Sequence, residues 1–443
     1  MSVRKRKKIQ AVLRTQLGFN FFMTKMRNVR PASKPAVTLC TLFILMISLF
    51  SSCSRSSRIK SVEEEELFSL DYGNFEEQIN LFAIKNIGFL KTQVCMRDGF
   101  FYIVNGEAGK IISLNSYGDL LSLYYSEDLF AQKNPGLPRL SSEGVWKPVE
   151  YPFEFTGKIA VDSRKYMYVV GTVPKERNEQ DENAKLLYSH VVLCFSSDGT
   201  VIDYIGQQGP GGTPFPFIKD IWTTENDELV VVCTTNDGLK VFWFNSNGFL
   251  RYEIPIITSK VPLISPESVN YNASSSDLFV TVENVIPDCY SQRLYVKVDY
   301  YLPYIDEESR VQSGVDYIQS MICPLNIETG QYQEPVNIPP YEVSVTNDFS
   351  KISYSLPYDF IGVTRNNWFF FLITTETGFS VEMIQPGTQN FLKREFLVDH
   401  NQVMYYSFSL SKEGIISALL ADKEKARVVW WRTDLLVDSK VRQ

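Results

Sequence analysis

Beyond residue 80 the chain alternates polar turns with short runs dense in Val, Ile, Phe and Tyr, and one turn-plus-run arrangement returns six times. The six segments are Asp98 to Val104, Arg164 to Val170, Asn226 to Val232, Ser276 to Val282, Asn366 to Leu372 and Lys412 to Ala418. Each begins with turn-forming residues and continues as a brief apolar run, the length of a buried strand and too short for a core helix. A second element follows the first in most units: a strand, a Gly-bearing turn, and another strand. It reads Leu114 to Leu120 about Gly118, Phe195 to Val201 about Gly199, Phe244 to Leu250 about Gly248, and Leu325 to Tyr332 about Gly330. Asn, Asp and Ser cap such turns through their side chains, and Gly accepts a positive φ without steric cost, so each is expected to be a hairpin.

Units of about 45 to 80 residues that hold several antiparallel strands and no strong helix signal predict an all-β, six-bladed β-propeller over residues 81–438. Three stretches exceed what a blade needs: Ala131 to Glu154, Pro174 to Leu187 and Pro303 to Ser320. These are expected to be insertions carrying recognition residues.

The first 52 residues read differently. Residues 1–36 carry ten Lys or Arg and no acidic residue, and Ala36 to Phe50 is almost wholly apolar. That run is about fifteen residues, against roughly 20 for a permanent span. A basic leader, a short apolar core and Ser51-Ser52-Cys53 together predict a lipoprotein signal peptide with Cys53 as the lipidated residue. An uncleaved membrane helix is the alternative. Residues 53–80, with the run Glu63 to Glu66, are expected to be a tether, or else a solvated helix face.

Removing the leader leaves 34 basic residues against 51 acidic, a net charge of −17. Such a polyanion repels phosphate, so nucleic acid is not an expected partner. The expected partners are the membrane, through the N-terminal lipid, and an envelope protein. Past Cys53 the cysteines are Cys95, Cys194, Cys233, Cys289 and Cys323, with no CxxC spacing. An odd number cannot pair completely. Cys289 and Cys323 flank one long insertion and are the pair that could bridge.

Residues 191–254 resemble the NHL repeat: Val191 to Gly199 as strand and Asp-Gly turn, Tyr204 to Gly209 as the glycine-bearing segment, then Phe217 to Ile221 and Leu229 to Val232. The match covers about one and a half blades. With the lipobox, the whole chain resembles spirochaetal lipoproteins that carry degenerate NHL-like or TolB-like propellers. That resemblance implies an envelope location with a binding role and no reaction. The expected place is lipid-anchored and periplasm-facing in a bacterial envelope, and Ser54 after the lipidated cysteine, where an Asp would signal inner-membrane retention, tilts it to the outer membrane.

No GxSxG elbow, P-loop or GxGxxG after a strand is present, and the two histidines, His190 and His400, have no second ligand at metal spacing. The expectation is therefore a noncatalytic protein-binding or scaffolding module with no cofactor and no metal. Its proposed contact surface is Trp146, Tyr300, Tyr301 and Tyr304, aromatics in or beside insertions. One alternative is a calcium-dependent lactonase-like hydrolase, with Asp162, Asp220, Glu267 and Asp359 near inner-strand ends as ligands. In NHL-type blades, however, Asp162 is more simply a turn residue closing an inner strand. A small-ligand or glycan receptor is the third reading.

Overall fold

The computed structural model describes residues 60–81, 92–129, 146–153, 156–181, 186–264, 278–305, 311–346 and 351–441. Cys53 and Glu267 lie outside these residues. Six antiparallel sheets follow one another around an axis, and their innermost strands are Thr92–Arg97, Ile159–Val161, Ile218–Thr223, Phe279–Pro287, Asp359–Val363 and Tyr405–Leu410. In blades 1 to 5 the chain runs outward from each of these strands through a second, third and fourth. In blade 6 the fourth strand comes from the other end of the chain: Glu65–Asp71 pairs antiparallel with Lys425–Trp431. This closes the ring and leaves no open blade between first and last.

The buried side chains divide as a closed ring requires. Six hydrophobic clusters are present, one between each neighbouring pair of blades, including the pair formed by blades 1 and 6. Large flat side chains fill them. Trp243, Trp368 and Trp431 are fully buried, and Trp431 stacks on Phe396 with ring centroids 4.3 Å apart.

The turn from first to second strand explains why the repeat was visible. Asp162, Thr224, Thr364 and Ser411 occupy one position in four blades, and their side-chain oxygens accept from the backbone N–H of Tyr166, Glu228, Trp368 and Ile415 at 2.8–3.2 Å. One residue before each donor the backbone turns left-handed, at Lys165, Asp227, Asn367 and Gly414, with φ between 56° and 101°. Asp and Asn tolerate that region better than most side chains, and Gly does so freely. Five of the six repeated segments duly become second strands. The sixth does not: Ser276 to Val282 runs into the inner strand of blade 4, whose second strand is Arg293–Ile305. The four Gly-turn hairpins all join third to fourth strands, in blades 1 to 4.

The tether is corrected. Residues 60–71 are strand, with Lys60–Ser61 lying parallel to blade 5 and Glu65–Asp71 completing blade 6. The Glu run is neither tether nor helix because blade 6 supplies its counter-charges: Arg427 meets Glu64 at 2.7 Å, Lys425 meets Glu66 at 3.3 Å, and the Trp430 indole donates to Glu65 at 2.7 Å. Two of the three insertions carry strands in their described residues, while most of Ala131 to Glu154 lies outside those residues. The stretch after Pro303 extends a hairpin of two long strands, Arg293–Ile305 and Gln312–Asn326, and the stretch after Pro174 forms the small pair Glu179–Asp181 and Leu186–Tyr188. A further hairpin, Tyr341–Thr346 with Lys351–Leu356, precedes the inner strand of blade 5. Adjacent strands are antiparallel, so the end where inner strands begin is the end where second strands finish. All three additions stand at that end.

Candidate functional site

The six inner strands surround a cavity of about 310 Å³ on the axis, lined by residues of every blade. Three of those strands break register with their neighbours: Lys219 is the extra residue in blade 3 and Glu283 in blade 4, both four pairs from the turn to the second strand, and Ile361 is the extra residue in blade 5, two pairs from it. A bulge of this kind bends the strand and redirects a side chain. Here it gathers Asp220, Glu283 and Asn284 with Lys158 and Asp359 in the lining of the cavity, near the beginnings of the inner strands.

The cluster is cross-braced. Lys158 lies 3.5 Å from Asp220, the Lys219 ammonium donates to the Glu283 carbonyl, and Lys297 lies 3.5 Å from Glu283. Lys297 itself is almost fully buried and donates to both Asp299 oxygens at 2.8 Å, while the Ser320 hydroxyl donates to the same carboxylate at 2.5 Å. A buried ammonium so fully engaged fixes the wall behind Glu283. Glu283 differs from its neighbours in one respect: its Oε2 is sealed from solvent and accepts no hydrogen bond. Burial, reinforced by the charges of Asp299 and Asp359, pushes its carboxyl above the ordinary range against the pull of Lys297. Burial and Asp299 also raise Asp359, again opposed by Lys297, although Asp359 keeps contact with solvent.

At the other end of the inner strands the axis is crossed by ion pairs. Arg97 of blade 1 donates to Glu225 of blade 3 at 2.9 Å, and Glu225 also accepts from Arg365 of blade 5 at 2.8 Å. Arg365 pairs in turn with Glu413 of blade 6. The chain of charges floors the cavity and leaves the Asp220 end as its mouth.

Of the four acidic residues considered for a cation, the structure brings two together. Asp220 and Asp359 line the cavity, whereas Asp162 is fully buried in its turn, accepting from the Tyr166 N–H and from Arg164 at 2.6 Å. Calcium does not fit the donors as they stand. The Asn284 oxygen accepts from the Val285 N–H at 2.8 Å and its amide nitrogen donates to Phe360 at 3.0 Å, so neither faces the cavity free. Lys158 and Lys297 already hold Asp220 and Glu283. Among the described residues no group of three or more His, Cys, Asp or Glu could hold a metal ion.

The aromatic contact surface does not assemble. Tyr300 is fully buried between blades 3 and 4 and donates to the Pro262 carbonyl at 2.6 Å, so it is core. Trp146 packs half-buried against the cluster between blades 1 and 6. Tyr301 sits edge-on to Tyr317 at 5.8 Å, and Tyr304 alone of the four is broadly exposed. Alternation along Arg293–Ile305 sends Tyr300 and Tyr301 to opposite faces, which a run of tyrosines conceals. Cys289 and Cys323 are both free thiols. Sequence reasoning missed Lys219, Glu283 and Asn284, because only a register break marks their positions, and Lys158, which stands one residue before a three-residue inner strand that pairs without a break.

The fold and its pocket define a six-bladed β-propeller with a charged axial cavity. No protein-family model and no curated protein matches the sequence. Solved structures do resemble it. A streptogramin B lyase is 13% identical over 83% of this chain and 96% of its own, with a TM-score of 0.35. A gluconolactonase from Xanthomonas campestris is 9% identical over 83% and 98%, with a TM-score of 0.38. The calcium-binding protein regucalcin from Agrobacterium tumefaciens is 8% identical over 84% and 95%, with a TM-score of 0.36. At such values the likeness extends to fold and assigns no activity. One expectation is corrected: enzymes stand among the solved structures that resemble this chain, against the reading of a noncatalytic module, and function lies in the site rather than in short motifs.

Proposed function

We propose that the protein is a hydrolase of small esters or lactones that works at the mouth of the axial cavity without a bound metal. One observation carries the reading: the inner strands of blades 3 and 4 bulge at one level and place Glu283, its Oε2 sealed from solvent, without a hydrogen bond and 3.5 Å from the Lys297 ammonium, beside Asp220, Asp359 and Lys158. Carboxyls whose surroundings favour protonation are suited to acid and base work near neutral pH. The Asp359 carboxylate takes a proton from water as its oxygen attacks the carbonyl carbon. The Lys158 ammonium stabilises the oxyanion that forms. As the carbon–oxygen bond to the alcohol breaks, Glu283 gives its proton to the departing oxygen, and net proton transfer from Asp359 through solvent restores it.

The lipid anchor at Cys53 and the envelope location belong to the same proposal, since hydrolysis of small molecules outside the cytoplasm needs no partner protein. The test is turnover of aryl acetates and of five- and six-membered lactones by the purified protein in the presence of chelator. Glu283→Gln is expected to lower kcat about 10²- to 10⁴-fold, the usual range for a general acid. No turnover by the folded wild type, or equal turnover by the variant, overturns the reading.

A further inference from the structure

The floor of the cavity carries an unmet demand of its own. Arg97 is 4% exposed and lines the cavity, yet only its Nη1 is engaged, by Glu225 at 2.9 Å. Its Nε and Nη2 are sealed from solvent and have no hydrogen-bond acceptor; the nearest carboxylate, that of Asp98, stands 3.5 Å from Nε, outside good bonding geometry. Buried guanidinium N–H groups without acceptors are costly, and few such groups survive in a folded protein without a reason. The adjoining inner strand adds a second cation. Lys412 follows the end of Tyr405–Leu410, lines the same cavity, and makes no ion pair among the described residues. Glu225 is already shared between Arg97 and Arg365, so its charge is spent on two guanidinium groups. Met96, Val161, Val363 and Leu410 supply apolar wall around these cations, and the two hydroxyls among them are engaged: Thr223 donates to the Val161 carbonyl at 2.9 Å and Ser409 accepts from the Met96 N–H at 3.0 Å.

We propose that the floor of the cavity binds a small organic carboxylate, its two oxygens accepting from Arg97 and Lys412 and its hydrocarbon part lying against the apolar wall. Planar carboxylates suit the fork of a guanidinium, and the apolar wall favours an organic anion over inorganic phosphate. This site is independent of the proposed hydrolysis, since it uses different residues at the opposite end of the cavity and requires no turnover.

The test is isothermal titration of the full-length protein with propionate, propionamide and inorganic phosphate at constant ionic strength. Propionate is expected to bind saturably, with propionamide at least tenfold weaker because it lacks the charge. Lys412→Met, a half-buried position, and Arg97→Lys, which keeps the charge but loses the fork, are each expected to weaken propionate about tenfold or more, with circular dichroism confirming that both remain folded. Equal binding of propionate and propionamide overturns the proposal. So does tighter binding of phosphate than of propionate, an absence of binding by folded wild type, or wild-type affinity in the Lys412→Met protein.

Discussion

Glu382 makes the stability of this propeller depend on pH in a direction opposite to that of most carboxylates. It sits in the third strand of blade 5, 1% exposed, with Oε1 accepting no hydrogen bond. Across the sheet it faces Lys393, whose ammonium leans over the rings of Tyr341 and Tyr358 at 4.9 and 5.7 Å. Burial dominates, and the attraction of Lys393 and the Tyr358 hydroxyl only partly offsets it, so the carboxyl is raised from an ordinary 4.5 to about 7. The folded state therefore holds this proton more tightly than the unfolded chain does. Its stabilising contribution is complete below about pH 4.5 and is lost as pH rises through about 7. At 1.36 kcal/mol for each tenfold change in proton affinity, the loss by pH 8.5 comes to about 3 kcal/mol.

Glu382→Gln keeps the shape and the neutral hydrogen bonding while removing the titration. Urea unfolding of both proteins from pH 5 to pH 8.5 isolates the term, because every other ionisable group cancels to first order in the difference. The variant is expected to match wild type within about 1 kcal/mol at pH 5 and to exceed it by about 3 kcal/mol at pH 8.5. A difference that stays constant across the range, or one that grows towards acid, would refute the argument.

Four further outcomes follow from positions already described. Tyr300→Ala is expected to cost about 3–5 kcal/mol as a large core truncation, and Tyr304→Ala about 0.5 kcal/mol or less, measured by denaturant unfolding; equal costs would restore both to one surface. Deleting residues 60–71 removes the outer strand of blade 6, so the shortened chain should melt lower and elute as aggregates where the parent is monodisperse. Cys53→Ala should abolish metabolic palmitate labelling in a bacterial host, and labelling that survives would remove the lipid anchor. If Glu283 serves as the acid, its raised carboxyl gives kcat a basic limb that falls as pH rises through its shifted value, and that limb should vanish in Glu283→Gln.

The fold was legible because its repeated parts are local. A capped turn with one left-handed residue, followed by an apolar strand, recurs in sequence as it does in space, and the hairpins about Gly118, Gly199, Gly248 and Gly330 announce themselves by the one residue that takes their φ readily. What escaped is non-local. Nothing near Glu65 says that it will pair with Trp430 across most of the chain, and in isolation a run of four glutamates reads as a solvated segment. Blade 4 failed for a related reason: its first-to-second turn at Asp288 lacks the left-handed residue found in the five other blades, and the turn-like segment at Ser276 took its place in the repeat.

The site was harder still. Asp220 and Asp359 could be suspected from their places at strand beginnings, but Glu283 and Asn284 enter the cavity wall through an extra residue that shifts the pairing by one, and a shift of one reverses which face every later side chain takes. A sequence pattern of period two has no means of marking that event. Arg97 illustrates the complementary limit. Its position beside the Asp98-Gly99 turn reads as an ordinary solvated strand end, and only the closure of six blades around it turns that end into a sealed floor with two N–H groups unanswered. The electrostatics of this cavity are therefore a property of ring closure: the same residues on an open sheet would be hydrated, and burial on the axis is what raises the Glu283 carboxyl and leaves two Arg97 N–H groups without acceptors.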